Sequence, residues 1–298
     1  GAEFLGNAAA LGVDLTADHV GVVLTDLGGN LLKQATGALR FSMEEIYFKY
    51  LGGLLQRFVE ASGAADRILG VGIALPGIVD GERGVLRESH ALELRNVPLS
   101  RFTQQIPWPC RCLGTAHAAG LAEFRGVDGD MVYLSLDGTV GGAILRDGSL
   151  CLGDHLRAGE FGHMTLVPGG RRCWCGKAGC LDAYCSAKVL SDHAGGSLSA
   201  FFEELRSGDA GKREIWREYL EHLAAAVNNL HVAFDCGVIA GGRVGACLEE
   251  FGELLRALLA ERNPFEQDAS YLKWSRRPQE AAAVGAALTQ VEAVLEGL

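Results

Sequence analysis

One histidine and four cysteines fall within the stretch GEFGHMTLVPGGRRCWCGKAGCLDAYCS, residues 159–186, and they constrain the local fold more than any other feature. Nine residues separate His163 from Cys173, which is followed closely by Cys175 and Cys180. Three thiolates and one imidazole form the closed tetrahedral donor set of a structural zinc site. Cysteines one residue apart rarely pair with each other, so both need another partner. The spacing therefore predicts a metal-binding turn, and buried cysteines without a metal are the alternative.

Composition narrows the class of protein. The net charge of −10 argues against nucleic-acid binding by this segment, because phosphate contacts need clustered Lys and Arg. Nine scattered cysteines in 298 residues do not resemble a secreted disulfide scaffold, so we expect a reducing cytoplasm. No run of eighteen apolar residues is present, and no membrane span is predicted. The start, GAEFLGNAAALG, lacks an initiator Met and is interpreted as an expression remnant, which leaves open that residues upstream were removed.

The order of predicted elements recurs along the chain. Two β-rich runs around a polar turn, LGVDLTADHVGVVLTDLGGN, are followed by a helical pattern over residues 43–62 and a buried strand, ILGVGIALPGIVD. A second Gly-containing hairpin, MVYLSLDGTVGGAILRDGSL, precedes the amphipathic helix REIWREYLEHLAAAVNNLHVAFD and the strand GVIAGG. This order predicts a duplicated α/β fold with a ligand cleft between its halves, and two unrelated α/β domains are the alternative.

We place the N-terminal α/β domain at residues 11–122 and the C-terminal α/β domain, which carries the predicted zinc turn, at residues 123–283. The last apolar helix, residues 284–298, is expected to pack back on the first domain.

The 159–186 segment resembles the signature of the ROK family, which unites bacterial sugar kinases and sugar-responsive transcriptional repressors. The family pattern is Glu-x-Gly-His, then Cys-x-Cys-Gly-x-x-Gly-Cys, then an acidic residue and a Ser. The positions that carry the resemblance are Glu160, Gly162, His163, Cys173, Cys175, Gly176, Gly179, Cys180, Asp182 and Ser186. Weaker similarity covers most of the chain. The resemblance implies an actin-like, ribonuclease-H-type duplicated α/β fold.

The resemblance also implies roles for individual residues. His163 and the three cysteines would hold zinc, and Glu160 and His163 would lie against a sugar, because a metal-bound imidazole keeps its other N–H fixed in direction. Asp182 stands where the family more often has Glu, one methylene longer. The expected ligand-binding set is completed by Gly77 and His117.

The chain departs from the family's kinases at three places. The first phosphate loop, usually Asp-x-Gly-Gly-Thr-Lys, reads DLTADH at residues 14–19, without glycines and with an added acid. The second, usually Gly-Thr-Gly-x-Gly-Gly-Gly, reads DGTVGGA at residues 137–143. In the family's catalytic motif, Asn-Asp-Ala-Asn-Ala-Ala, the Asp is the general base. Here Gly114 stands at the first position and Thr115 replaces that Asp. Histidine is a side chain that can act as a general base, so His117 is a candidate for that role, and a histidine at a helix start without a catalytic role is the alternative.

Together these features predict a kinase-inactive, sugar-sensing effector domain of a ROK-type transcriptional regulator, with zinc as its cofactor. Such regulators contact DNA through an upstream winged helix-turn-helix, which is absent from this sequence. An ATP-dependent sugar kinase, similar to glucokinase or an N-acetylhexosamine kinase, is the first alternative, and a catalytically silent protein-interaction module is the second. The family resemblance implies a cytoplasmic homodimer or tetramer with a sugar or sugar derivative as its partner.

Overall fold

Two five-stranded sheets of the same construction organise the chain, and the computed structural model describes residues 7–296. The strands are β1 Ala9–Leu15, β2 His19–Asp26, β3 Leu31–Ala38, β4 Ile68–Leu75, β5 Ile78–Asp80, β6 Val85–Ser89, β7 Leu94–Pro98, β8 Cys110–Gly114, β9 Met131–Leu136, β10 Val140–Arg146, β11 Ser149–Leu150, β12 Gly237–Gly241 and β13 Leu272–Trp274. The first sheet has the order β3-β2-β1-β4-β8 and the second the order β11-β10-β9-β12-β13. In each sheet three antiparallel strands are followed by two parallel ones.

The fold is therefore the duplicated, actin-like α/β fold that the sequence predicted. Eleven α-helices lie within the described residues. They are α1 Glu45–Glu60, α2 Ser100–Thr103, α3 Thr115–Phe124, α4 Asp182–Cys185, α5 Ala187–Ser191, α6 Leu198–Ser207, α7 Ala210–Phe234, α8 Gly242–Gly245, α9 Leu248–Phe251, α10 Glu253–Arg262 and α11 Ala281–Glu296. None of these helices has the length and apolar character that crossing a bilayer requires.

The first compact unit comprises the chain up to Arg125, Asp154–Arg157 and the chain from Glu280 onward. Its sheet is covered on one face by α11, because glycines let the helix backbone approach the strands. A Cβ on Gly12 would lie 1.7 Å from the Ala283 carbonyl oxygen, so no larger residue fits in β1 at this point. The side chain of Gln290 donates to the Val71 carbonyl at 2.9 Å.

The second unit comprises Gly126–Gly153 and Ala158–Gln279. Its longest helix, α7, buries one stripe at helical spacing. Its buried residues are Trp216, Tyr219, Leu220, Leu223, Ala224, Ala226, Val227 and Leu230. The helix begins where the Asp209 carboxylate accepts from the Lys212 N–H at 2.8 Å and ends at Asp235 in the left-handed conformation.

A small three-stranded antiparallel sheet, β5-β6-β7, belongs to the first unit and was not predicted from the sequence. Its strands are only three to five residues long, which is too short for periodicity to reveal. Between β5 and β6 the register shifts: Ile78 faces Glu88 whereas Val79 faces Leu86. Arg87 is therefore the extra residue of a β-bulge.

The chain segment Asp154–Arg157 lies within the predicted 123–283 domain but clusters with the first unit. The domain boundaries 11–122, 123–283 and 284–298 stay predictions.

Candidate metal centre and ligand edge

Four donors converge in the second unit. One ligand atom from each of His163, Cys173, Cys175 and Cys180 lies within 4.8 Å of all the others, so the cluster could hold a metal ion. The Sγ atoms of Cys175 and Cys180 are 3.7 Å apart. That distance is too long for a disulfide, whereas a tetrahedral zinc with Zn–S distances of about 2.3 Å separates its sulfurs by about 3.8 Å. The donor set therefore fits a zinc-sized cation.

The histidine supplies an independent test of this fit. Its Nδ1 atom is buried and has no hydrogen-bond partner among the described residues. A buried ring nitrogen left unpaired costs free energy, and coordination to a cation removes that cost. The ring packs edge-on against Trp174, with 4.9 Å between centroids, which fixes its plane. The Nδ1 atom is thus the expected metal ligand, and Nε2 is left for a second partner.

Backbone geometry brings the cysteines together. The Cys173 N–H donates to the Lys177 carbonyl at 2.9 Å and the Gly176 N–H donates to the Cys173 carbonyl at 3.0 Å, closing a tight turn. Gly179 has a φ of +87°, and a Cβ there would lie 1.8 Å from the Val167 carbonyl oxygen. Only glycine can occupy this position without moving the turn.

The cysteine thiols differ in their electrostatics. Burial, reinforced by hydrogen bonding with the neighbouring thiols, raises the pKa of Cys173 to about 12. Burial also acts to raise the pKa of Cys175, but hydrogen bonds from the Lys177 backbone and the other two thiols outweigh it and lower that pKa. Three adjacent thiolates repel one another, and a cation relieves that repulsion.

Glu160 lies beside the outer edge of the histidine. Its Oε2 is 3.9 Å from His163 Nε2, and the two side chains are 42% and 30% exposed. A 3₁₀ turn over Phe161–His163 sets both on one short loop. A half-exposed carboxylate next to an imidazole N–H can accept hydrogen bonds from hydroxyl groups. Since these two polar groups face solvent together, they form a candidate ligand edge.

Asp182 is buried and hydrogen-bonded within the second unit. Its side chain is 5% exposed, and its two oxygens accept from the Val140 backbone N–H and from the Trp174 indole Nε1, the latter at 3.1 Å. The carboxylate therefore joins the cysteine turn to the start of β10. Asp182 acts in the structure as an internal brace, while a direct role in ligand binding stays a prediction.

The remaining predicted residues lie in the first unit. Gly77, with a φ of +120°, approaches β6 so closely that a Cβ would lie 2.1 Å from the Glu88 carbonyl oxygen. A Cβ on Gly114 would lie 2.9 Å from the Gly77 carbonyl oxygen and 3.6 Å from His117 Nδ1. Gly77, Gly114 and His117 therefore meet. The Thr115 hydroxyl is buried without a hydrogen-bond partner among the described residues.

An ion pair covers the second phosphate-loop position. Asp137 follows β9, and its Oδ1 accepts from Arg243 Nε at 2.9 Å and from the Arg243 backbone N–H at 3.3 Å. The carboxylate is so close to the Gly241-Gly242 turn that a Cβ on Gly242 would lie 2.7 Å from Asp137 Oδ2. The Asp137 carboxylate thus occupies the space beside the Gly241-Gly242 backbone that the absence of side chains leaves open.

The first phosphate-loop position also carries a carboxylate. The Thr16 hydroxyl donates to the His19 carbonyl at 2.9 Å and accepts from the His19 N–H at 3.1 Å. His19 Nδ1 lies 2.8 Å from an Asp18 oxygen, and this hydrogen bond lowers the pKa of Asp18 despite the opposing effect of partial burial. The turn therefore presents a carboxylate where an anion-binding loop presents N–H groups.

Two residues of this region were not predicted from the sequence. Trp174 packs against the His163 ring, and Arg243 pairs with Asp137. Trp174 lies between Cys173 and Cys175 in the sequence, and this position next to two predicted metal ligands is a signal that could have identified it. Arg243 directly follows the GVIAGG strand end, but no spacing rule connects it to a residue 106 positions earlier.

The family model described as "ROK family" matches residues 10–292. An N-acetylmannosamine kinase from Escherichia fergusonii is 31% identical over 202 residues, covering 64% of this chain and 69% of that protein. A xylose repressor from Caldicellulosiruptor bescii is 30% identical over 187 residues, covering 60% of this chain and 47% of the repressor. The crystal structure of a ROK hexokinase from Thermus thermophilus is 26% identical, with a TM-score of 0.78 over 97% of this chain and all of that one.

Proposed function

Because this chain belongs to the ROK family, we propose that it is the sugar-sensing effector domain of a ROK-type transcriptional regulator and does not phosphorylate its ligand. One observation carries the proposal. The Asp137 carboxylate occupies the glycine turn at Gly242 and is held there by Arg243. Phosphoryl transfer depends on positioning and charge stabilisation of the phosphates, and an internal carboxylate at a phosphate loop opposes both.

Two further features support the loss of catalysis. Thr115, at the start of α3, carries a hydroxyl where the family motif has a carboxylate, and a hydroxyl does not act as a base near neutral pH. Gly114 stands at the motif's Asn position, and the Gly77 carbonyl oxygen would lie 2.9 Å from a Cβ there. The amide side chain of the motif would therefore displace the Gly77 turn.

In this proposal the metal is structural zinc. His163, Cys173, Cys175 and Cys180 would hold it, and when bound it supplies a fixed centre of charge that folds the 161–180 turn. The protein's own residues would contact the ligand. Trp174 and the metal would fix the plane of the His163 ring, so that its Nε2 can donate to a ligand oxygen. Glu160 beside it accepts from ligand hydroxyls.

The partner is a sugar or sugar derivative, as expected from the xylose repressor and the N-acetylmannosamine kinase among the relatives. Contact with DNA belongs to an upstream winged helix-turn-helix domain, and the regulator works in the cytoplasm as a homodimer or tetramer. An active sugar kinase is the second candidate, favoured by the 31% identity to N-acetylmannosamine kinase. The predicted contacts of Asp182, Gly77 and His117 with the ligand belong to this proposal.

Calorimetric titration of a sugar panel tests the ligand edge. Glu160→Gln removes a charge-assisted acceptor, so we expect sugar binding to weaken roughly ten- to a hundredfold while zinc content stays unchanged. Cys175→Ser is expected to weaken both, because loss of the metal frees the loop that must be ordered on binding. Glu261→Gln, an exposed glutamate of α10 in the same unit, is the matched control.

Two results would contradict the proposal. If wild type binds no sugar at all, the ligand edge is vestigial and the protein-interaction module is favoured. If Glu160→Gln binds as tightly as wild type, the sugar lies in another part of the protein. The gene sequence upstream of residue 1 separates regulator from kinase, since only a regulator gene encodes a winged helix-turn-helix there.

A further inference from the structure

A basic pocket lies in the first unit, beside the small β5-β6-β7 sheet, and none of the predicted site residues lines it. Its volume is about 240 Å³. Three arginines and one histidine stand against a single acid in its wall. The lining residues are Ile78, Arg87, Glu88, Arg95, Asn96, His155 and Arg157. Such a concentration of positive charge is unexpected in a chain with a net charge of −10.

Arg87 is held in place rather than mobile. The bulge between β5 and β6 makes it the extra residue of its strand, and bulges commonly redirect a side chain near a functional site. Its Nε donates to Asp80 Oδ2 at 3.0 Å and its Nη2 donates to the same oxygen. The Nη1 group takes no part in these bonds, so a guanidinium of fixed orientation keeps donors for another acceptor.

Arg157 comes from a different part of the chain. Across the described residues 7–296 it forms no ion pair with an acid, and the same holds for His155. Between them Leu156 adopts the left-handed conformation, with a φ of 60°. A leucine in this conformation is strained, and such strain is concentrated where a segment must hold a particular shape.

The third arginine is already partly neutralised. Arg95 Nη2 donates to Glu88 Oε1 at 2.6 Å in an exposed cross-strand pair. Asn96, which follows it, also has a positive φ, 53°. Arg157 therefore carries the uncompensated charge of the pocket, and Arg87 supplies oriented donors beside it.

We propose that this pocket binds the oxyanion group of a small ligand, a phosphate ester or a carboxylate, through Arg157 and Arg87. Planar guanidinium groups match both oxyanions with paired hydrogen bonds. Ile78 follows Gly77 directly, so the pocket adjoins a predicted ligand residue of the same unit.

Inorganic phosphate is the first probe, because it tests the pocket without any sugar. Titration at millimolar concentration, followed by ³¹P NMR, is expected to give saturable binding to wild type. Arg157→Gln should weaken it roughly ten- to a hundredfold, as expected for one charge-assisted contact. Arg40→Gln removes the same charge from an exposed position in the first unit outside the pocket and should bind like wild type.

No saturable phosphate binding to wild type, or equal binding to wild type and Arg157→Gln, would overturn the proposal. An equal loss in Arg40→Gln would overturn it as well, since the effect would then be one of net charge. Glucose 6-phosphate and glucuronate, added in turn as competitors, distinguish the phosphate from the carboxylate. Failure of the sugar-sensing proposal looks different: phosphate still binds in an Arg157-dependent way, but no sugar binds more tightly than phosphate and Glu160→Gln changes nothing.

Discussion

Two turns of the second unit differ in whether their polar groups are paired within the protein. In the 161–180 turn, four donors converge and the buried Nδ1 of His163 has no hydrogen-bond partner within residues 7–296. At the phosphate-loop position, Asp137 and Arg243 satisfy each other at 2.9 Å. The turns are physically joined, because Asp182 accepts from Val140 in one and from Trp174 in the other.

The pairing of polar groups is a criterion for recognising a binding site in a structure without a ligand. Polar groups that converge and remain unsatisfied are costly, so they persist where a ligand compensates them. Polar groups that have paired with each other need no ligand. By this criterion the 161–180 turn has the features of a binding site, whereas at residues 137–143 an ion pair within the chain already satisfies the Asp137 carboxylate.

The largest expected effect comes from removing a metal ligand. Cys180 is fully buried, and Cys180→Ser should abolish stoichiometric zinc and lower the free energy of unfolding by several kcal/mol, because structural metal binding contributes directly to folding. Elemental analysis and chemical denaturation measure the two effects. Cys151→Ser, a partly buried cysteine outside the cluster, should retain one zinc per chain. Wild-type protein purified without chelators but lacking zinc would show that the turn is not a zinc site.

A smaller effect is expected from removing the Asp182 carboxylate, which is hydrogen-bonded to both turns. Asp182→Ala leaves the buried Val140 N–H and the Trp174 indole without their acceptor and should cost roughly 2–3 kcal/mol. Denaturation followed by tryptophan fluorescence measures it, with Asp192→Ala, an exposed aspartate of the same unit, as the control. Equal stability of the Asp182 and Asp192 variants would mean that the turns are independent.

The smallest effect is expected at the ion pair. Asp137 and Arg243 are 40% and 58% exposed, so Asp137→Asn should change the free energy of unfolding by less than about 1 kcal/mol. Arg243→Gln should have an effect of similar size, and the double variant should cost no more than either single one. A loss of several kcal/mol would indicate that the pair supports the fold rather than merely filling the phosphate loop.

The sequence predicted the repeated sheet order, because hairpins with Gly-rich turns and a long amphipathic helix have strong local patterns. It also predicted the four donors of the cysteine turn, since ligand spacing is a local property. What it missed depends on contacts between distant residues. The motif position of Asp182 predicts a ligand contact, and that stays a prediction. Its burial and its hydrogen bonds to Val140 and Trp174 follow from packing and have no local signature in the sequence.

The small sheet and its basic pocket were missed for a related reason. Arg87, Arg95 and Arg157 come from three segments whose approach depends on a β-bulge and on a left-handed leucine. Neither feature has a signature in the sequence, because leucine rarely adopts that conformation and a bulge is defined only by its neighbour strand.

The central claim is that ligand recognition has been kept and phosphoryl transfer lost, and a phosphorylation assay tests it most directly. Zinc-loaded protein is incubated with Mg²⁺-ATP and glucose, N-acetylglucosamine, N-acetylmannosamine, allose or fructose, and sugar phosphate is measured against a protein-free blank. We predict no product with any of them, and none after Thr115→Asp, because the Asp137–Arg243 pair still fills the turn at Gly242 and Asp18 still places a carboxylate at the first loop. Robust turnover of any of these sugars by the unmodified protein would contradict the account and identify the chain as a sugar kinase.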